Sequence, residues 1–171
     1  MIELYEGVPG SGKSYHAVCE KFLPWVKQGR RLYIAVNGIY LDRLSLFTGI
    51  DLPVLEQQIT LWKDSAEVLQ AFPYVEPGSA VIIDEAQTVF RSMQKVEPGL
   101  LRWLETHRHY GVDILLMSQD FRQMSQGVTR LIEATVKFRK LSFVGLSKKY
   151  QGKVRGNPED NELIHLKQPL Y

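Results

Sequence analysis

The sequence predicts an α/β fold, a mostly parallel central sheet with helices on both faces. Three observations lead there. Strand-like and helix-like segments alternate along the chain, with no internal repeat and no low-complexity linker. Two runs, Ala80–Asp84 and Asp113–Ser118, are nearly all apolar up to a polar end, as strands covered on both faces of a parallel sheet are. And Gly7-Val8-Pro9-Gly10-Ser11-Gly12-Lys13-Ser14 fits G-x-x-x-x-G-K-[ST], placed between an apolar run and a helical pattern. The 171 residues, 44% of them hydrophobic, suit one compact domain with a proper core.

Each element then follows in order. Ile2–Tyr5 is the first strand and Lys13–Gln28 the first helix. Leu32–Val36 is the second strand, ended by Asn37-Gly38. Ile39 to Phe47 is a short helix or irregular. Gln58–Trp62 reads as a short edge strand. Asp64 caps a helix that reaches Phe72, where Pro73 stops it. Pro77-Gly78 turns the chain into Ala80–Asp84. A helix follows Pro98, a favoured first-turn residue, with Leu100, Leu101 and Leu104 on one face. Gly111 suits its C-terminal cap. Asp113–Ser118 is another buried strand. A helix from about Gly127 to Glu133 precedes a strand at Thr135–Arg139. Residues 141–171 are expected to hold a basic hairpin, Leu141 to Arg155, and an exposed extension from Gly156.

Composition bounds the chemistry. A net charge of +2 excludes a molecule basic all over, so any basic patch is local. The lone cysteine, Cys19, allows no disulfide within the chain, fits a reducing compartment, and reads as a small core residue. The first strand begins at once, with no leader pattern, and no run approaches the roughly 18 apolar residues of a membrane span. The expectation is a soluble, cytosolic chain.

The Gly7–Ser14 stretch is a P-loop. Its glycines let successive N–H groups point inward at phosphate oxygens, and the helix N-terminus adds unpaired N–H groups and partial positive charge. Lys13 reaches the β- and γ-phosphates, and the Ser14 hydroxyl ligates Mg²⁺. The candidate nucleotide-binding set is therefore Gly7, Val8, Pro9, Gly10, Ser11, Gly12, Lys13 and Ser14, with Tyr15 next to it. ATP and Mg²⁺ are the implied ligands. A second signal, Val81-Ile82-Ile83-Asp84-Glu85, has the form of a Walker B element. Asp84 suits Mg²⁺, which prefers few carboxylates and retained waters. Glu85 is placed to polarise a water for in-line attack; an ordinary acid at a helix N-terminus is its plain alternative. Gln119 ends the next strand, where ligands of open parallel sheets sit, and can bond a γ-phosphate or the attacking water. A solvated loop glutamine is the alternative.

Arg108, in Thr106-His107-Arg108-His109-Tyr110-Gly111, suits a finger for transition-state charge on a neighbour's nucleotide, or simply a cation at a helix C-terminus. His107 and His109 lack a clustered third ligand, so they are weak evidence for zinc. Finally, Lys137, Arg139, Lys140, Lys148, Lys149, Lys153 and Arg155 occupy a stretch without acids, interleaved with Phe138, Phe143 and Tyr150. That is a candidate track for single-stranded DNA or anionic headgroups, or a solvated hairpin.

Taken together, the P-loop, the Asp84-Glu85-Ala86-Gln87 run and His107-Arg108-His109-Tyr110-Gly111 followed by Ser118-Gln119 resemble the motif series of the Zot family. That family comprises the N-terminal ATPase domain of zonula occludens toxin and assembly ATPases of filamentous phages, and is similar to the HerA–FtsK class of P-loop motors. The resemblance runs from Met1 to about Arg139. It implies an ASCE-type, RecA-like P-loop NTPase whose hydrolysis of ATP drives phage assembly and export. Also implied are a homo-oligomer, a hexameric ring, with phage assembly and coat proteins as partners. It further implies a location at the cytoplasmic face of the bacterial inner membrane, through a transmembrane helix and a periplasmic segment. This chain shows neither of those two parts, so the expectation is the cytosolic motor by itself. A DNA-pumping motor of the same superfamily and a nucleotide-gated docking module with little turnover are the rival readings.

Overall fold

The computed structural model describes residues 1–140, 149–155 and 163–167, the last two segments as backbone. Among the described residues the strands are β1 (Ile2–Glu6), β2 (Leu32–Ala35), β3 (Ile59–Leu61), β4 (Ala80–Ile83), β5 (Asp113–Ser118), β6 (Ala134–Lys140), β7 (Lys149–Arg155) and β8 (Leu163–Lys167). They form one sheet in the order β3-β2-β4-β5-β1-β6-β7-β8. Strands β1 to β6 pair in parallel, and β7 and β8 add to the β6 edge antiparallel.

Alternation along each strand builds two cores. Leu4, Val81, Ile83, Ile114 and Leu116 face one side, and Tyr5, Ala80, Ile82, Leu115 and Met117 the other. The first side is covered by α5 (Ser65–Ala71), α6 (Ala86–Val89), α7 (Pro98–Thr106) and α8 (Gln126–Thr129), which contribute Val68, Ala86, Leu100, Leu104 and Val128. The second is covered by α1 (Lys13–Ala17), α2 (Leu23–Lys27), α3 (Leu41–Thr48) and α4 (Leu52–Gln58), through Ala17, Val26, Leu44 and Leu55. Both faces of the central strands are therefore dry, and this is why their sequences read as continuous apolar runs rather than alternating ones.

The expected elements are present with local differences. The first helix is interrupted by a π turn, Val18–Phe22. Pro24 has no N–H to return to the carbonyl four residues back, and Leu23 N–H reaches five back, to Val18. Cys19 lies in that turn, half-buried rather than in the core. Asp64 caps α5 as expected, accepting the Glu67 N–H at 2.8 Å. Gly111 takes the left-handed conformation, φ 64°, after the 3₁₀ turn His107–Tyr110 that extends α7. The helix expected at Gly127–Glu133 is a single turn, because Glu133 already joins the sheet through its N–H to the Ile2 carbonyl at 2.9 Å. The hairpin is made by β6 and β7, in register from Thr135↔Arg155 to Lys140↔Tyr150. Residues 141–148, where its first arm was expected, lie outside the described residues. Beyond Gly156, the expected extension supplies β8.

Candidate active site

The P-loop leaves the end of β1 and enters α1. Gly7 is the tightest point: a Cβ there would lie 2.6 Å from the Phe138 carbonyl and 2.7 Å from Ser11 Oγ, so no other residue fits. Gly12, with φ 94°, turns the loop into the helix in a conformation that L side chains rarely adopt. Lys13 is buried at 7% exposure, and its Nζ donates to the Gly7 carbonyl at 2.5 Å and the Val8 carbonyl at 3.3 Å. Burial pushes its ammonium below the usual lysine range, while the charges of Asp84 and Glu85 pull the other way. The Ser11 hydroxyl is buried without a protein partner. A buried cation folded onto loop carbonyls and an orphaned hydroxyl beside it fit a loop that receives an anionic group. Val8, Pro9 and Gly10 are exposed at its tip, and Ser14 is exposed at its exit.

Asp84 and Glu85 follow β4. The Ser14 hydroxyl lies 3.5 Å from Asp84 Oδ2. Two hard oxygen donors from separate elements thus meet at one point, the donor chemistry that suits Mg²⁺ with retained waters. Burial raises the Asp84 carboxyl above its usual range, and the neighbouring Glu85 charge adds to that; the Glu85 N–H, Lys13 and Ser14 oppose it. Glu85 is the sole non-glycine residue at positive φ, 49°, among the described residues. A side chain in the left-handed region costs on the order of 1 kcal/mol or more, and such strain clusters at functional sites.

β5 lies between β1 and β4, with Glu6 beside Ser118 and Ile83 beside Leu116. Its end therefore projects into the crevice between the P-loop and the acidic pair. The Gly7 N–H donates to the Ser118 carbonyl at 3.2 Å. Gln119 Nε2 lies 3.2 Å from both Glu85 carboxylate oxygens. A third group, not singled out from the sequence, completes the cluster: Gln87 Nε2 also donates to Glu85, and Gln87 Oε1 accepts from the Ser118 hydroxyl at 2.8 Å. Its signal was its place two residues after Glu85, within the run that carried the family resemblance. On the β2 side a cavity of about 290 Å³ opens onto Asp84 and Glu85, lined also by Asn37, Trp62 and Lys63.

Arg108 is not part of this crevice. It precedes the start of β5, whereas the P-loop follows the end of the parallel β1, so the two lie at opposite ends of the sheet. Strands of this length separate them by roughly 15–20 Å. Arg108 forms a two-pronged pair with Glu133, through Nε at 3.1 Å to Oε1 and through Nη2 to Oε2, and its side chain stays 67% exposed. His107 is buried behind it, and His109 is exposed. Among the described residues no group of three His, Cys, Asp or Glu is placed to hold a metal. Of the basic stretch, Lys137 pairs with Glu6 at 2.9 Å and Arg139 is exposed. Phe138 is a core residue, packed on Tyr5 and His16, not an aromatic of an open track. Phe143 and Lys148 lie outside the described residues.

The family profile described as "Zonular occludens toxin (Zot)" matches residues 1–166. The chain belongs to the Zot family. Its relatives include the "Gene 1 protein" of Xanthomonas phage phiLf, 27% identical over 164 residues, covering 88% of this chain and 37% of that protein. Another is the "Putative assembly protein ORF301" of Pseudomonas phage Pf3, 30% identical over 126 residues, covering 70% of this chain and 36% of that one. The chain thus spans just over a third of the length of these relatives. Among solved structures it resembles the N-terminal domain of zonular occludens toxin from Neisseria meningitidis, with a TM-score of 0.63 at 18% identity, covering 99% of this chain and 94% of that one. It also resembles the genome packaging NTPase B204 of Sulfolobus turreted icosahedral virus 2, solved with ATP-gammaS, with a TM-score of 0.60 at 17% identity over 99% and 98% of the two chains. At these identities the likeness shows the fold alone, and that fold is the RecA-like P-loop NTPase fold.

Proposed function

We propose that this Zot-family chain is the Mg-dependent ATPase motor domain of a filamentous phage assembly and export protein. The observation that carries the reading is the convergence of three parallel strand ends. They bring the P-loop, the Asp84-Glu85 pair and Gln119 into one crevice, with Gln119 on the Glu85 carboxylate. P-loop N–H groups and Lys13 bind the phosphates of ATP. Ser14 and Asp84 would hold Mg²⁺, which would supply positive charge beside the phosphates. Glu85 accepts the proton of a water as its oxygen bonds the γ-phosphorus and the bond to the β-phosphate oxygen breaks. Gln119, released from Glu85, contacts the γ-phosphate, and Tyr15 flanks the nucleotide. Arg108 is too far from its own P-loop and acts on a neighbour's nucleotide in a ring, hexameric in the working assembly. The partners are further copies of the chain, phage assembly and coat proteins and single-stranded DNA, at the cytoplasmic face of the inner membrane.

The test is ATP turnover against protein concentration, with and without phage single-stranded DNA. Turnover rises steeply as protomers associate. Lys13→Ala abolishes binding of a non-hydrolysable ATP analogue in calorimetry. Glu85→Gln binds the analogue as wild type does and loses turnover by about 10²-fold or more, the scale of a positioned base. Analogue binding that survives Lys13→Ala, or near-normal turnover of Glu85→Gln, overturns the reading.

A further inference from the structure

The Gln87 amide joins two elements of the crevice that the chemistry above treats separately. Its Nε2 donates to Glu85 Oε2, and its Oε1 accepts from Ser118 Oγ at 2.8 Å. Ser118 is 1% exposed, and its carbonyl accepts the Gly7 N–H at 3.2 Å. A hydrogen-bonded path therefore runs from the first P-loop residue, across β5, to the carboxylate. The amide's orientation follows from chemistry. A carboxylate only accepts, so Nε2 must face Glu85 and Oε1 must face the hydroxyl.

We infer that Gln87 is a positioning residue that holds the Glu85 carboxylate from β5, through Ser118, and couples it to the P-loop. This rests on the ATPase reading above. Gln119 is the exposed one of the two amides on Glu85, at 3.2 Å from each oxygen, and it is the one free to turn to an arriving phosphate. Once it turns, Gln87 alone keeps the carboxylate oriented. Glu85 caps α6 from a strained left-handed backbone, and its side chain makes no capping bond to the helix N–H groups. A donor and an acceptor at the fixed spacing of one amide suit this task. Alanine cannot hold, and glutamate repels.

The experiment uses Gln87→Ala, Ser118→Ala, the double variant and Gln87→Glu, with wild type and Glu85→Gln as references. It measures kcat and KM in assembled protein and the affinity for a non-hydrolysable ATP analogue. Gln87→Ala and Ser118→Ala are each expected to lower kcat by about 10-fold to 10²-fold, the scale of a small misplacement of a reacting group. KM and analogue affinity stay within about 2-fold, the range in which positioning rather than binding is affected. Because the two act through one path, the double variant is no worse than Gln87→Ala. Gln87→Glu is at least as impaired as Gln87→Ala. Wild-type kcat in Gln87→Ala, affinity falling in step with kcat, or losses that multiply in the double variant would each overturn the inference. A wild-type chain that binds the analogue but never turns over fails the ATPase reading, and the role of Gln87 falls with it. An active wild type with an indifferent Gln87→Ala fails only the present inference.

Discussion

His16 and His107 illustrate how much of this fold depends on single buried groups. The His16 ring is wedged between Tyr5 and Phe138, at centroid distances of 5.3 Å to each. His107 Nδ1 lies 2.6 Å from the Leu104 carbonyl and so donates to it, while Nε2 is buried without a hydrogen bond. Burial pushes both imidazoles below the usual histidine range. Unfolded histidines titrate near about 6.5, so in mild acid the unfolded chain binds more protons than the fold does. The contribution of both to stability is complete above about pH 6.5 and is lost as pH falls through their depressed folded values. The urea midpoint is expected to drop between pH 7 and pH 5.5, with a shallower drop in His107→Gln. A flat wild-type profile in that window would mean that neither ring is held neutral. Neither role was legible in the sequence, where His107 was weighed only as a metal ligand, because burial comes from elements distant along the chain.

At the scale of elements, β6 matters more than its edge-like basic sequence suggests. It pairs with β1, and the Phe138 ring packs on Tyr5 at 5.2 Å while the Phe138 carbonyl backs Gly7. Phe138→Ala is expected to cost about 3–5 kcal/mol, the range for a buried aromatic, and to weaken analogue binding because the ring that packs on Tyr5 before the loop and on His16 after it is lost. Asp64→Ala removes a cap and costs about 1 kcal/mol. It should leave analogue binding unchanged, since the Asp64 carboxylate serves the Glu67 N–H of its own helix. Chemical denaturation with calorimetry separates the two; a Phe138→Ala protein that binds the analogue at full affinity would show that β6 is not a support of the loop. The central strands, the Asp64 cap and the Pro98 start of α7 were legible from local pattern. The π turn had a local signal too, in Pro24. The hairpin partners had none, since either flank of residues 141–148 reads as polar strand.

At the scale of the whole molecule, the two ends of the sheet carry different candidate groups. One end carries the P-loop crevice, and the other carries Arg108 on Glu133, with the N-terminal amine on Asp113 at 2.9 Å. In a ring, the second end of one protomer can meet the crevice of the next. Arg108→Ala is expected to bind the analogue normally and lose turnover by about 10³-fold or more if the arginine supplies transition-state charge in trans. Mixing it with Glu85→Gln protein separates this from a structural loss at Glu133. Interfaces that pair an intact Glu85 with an intact Arg108 regain activity. No recovery in demonstrably co-assembled mixtures would make Arg108 a purely structural residue. Among the described residues no helix is long and apolar enough to cross a membrane.

Contiguous chemistry was decided by the sequence alone. Gly7 to Ser14, with a strand before and a helix after, read as a phosphate loop, because the pattern is made by neighbouring residues. Asp84-Glu85 at the end of an apolar run likewise reads as a Walker B element. Only the tertiary structure decided which strands are neighbours. Buried parallel strands have interchangeable apolar patterns, and nothing local says that β5 enters between β1 and β4. That insertion is what brings Gln119 onto Glu85 and Ser118 onto Gln87, and the parallel sense of β5 is what carries Arg108 to the far end of the sheet.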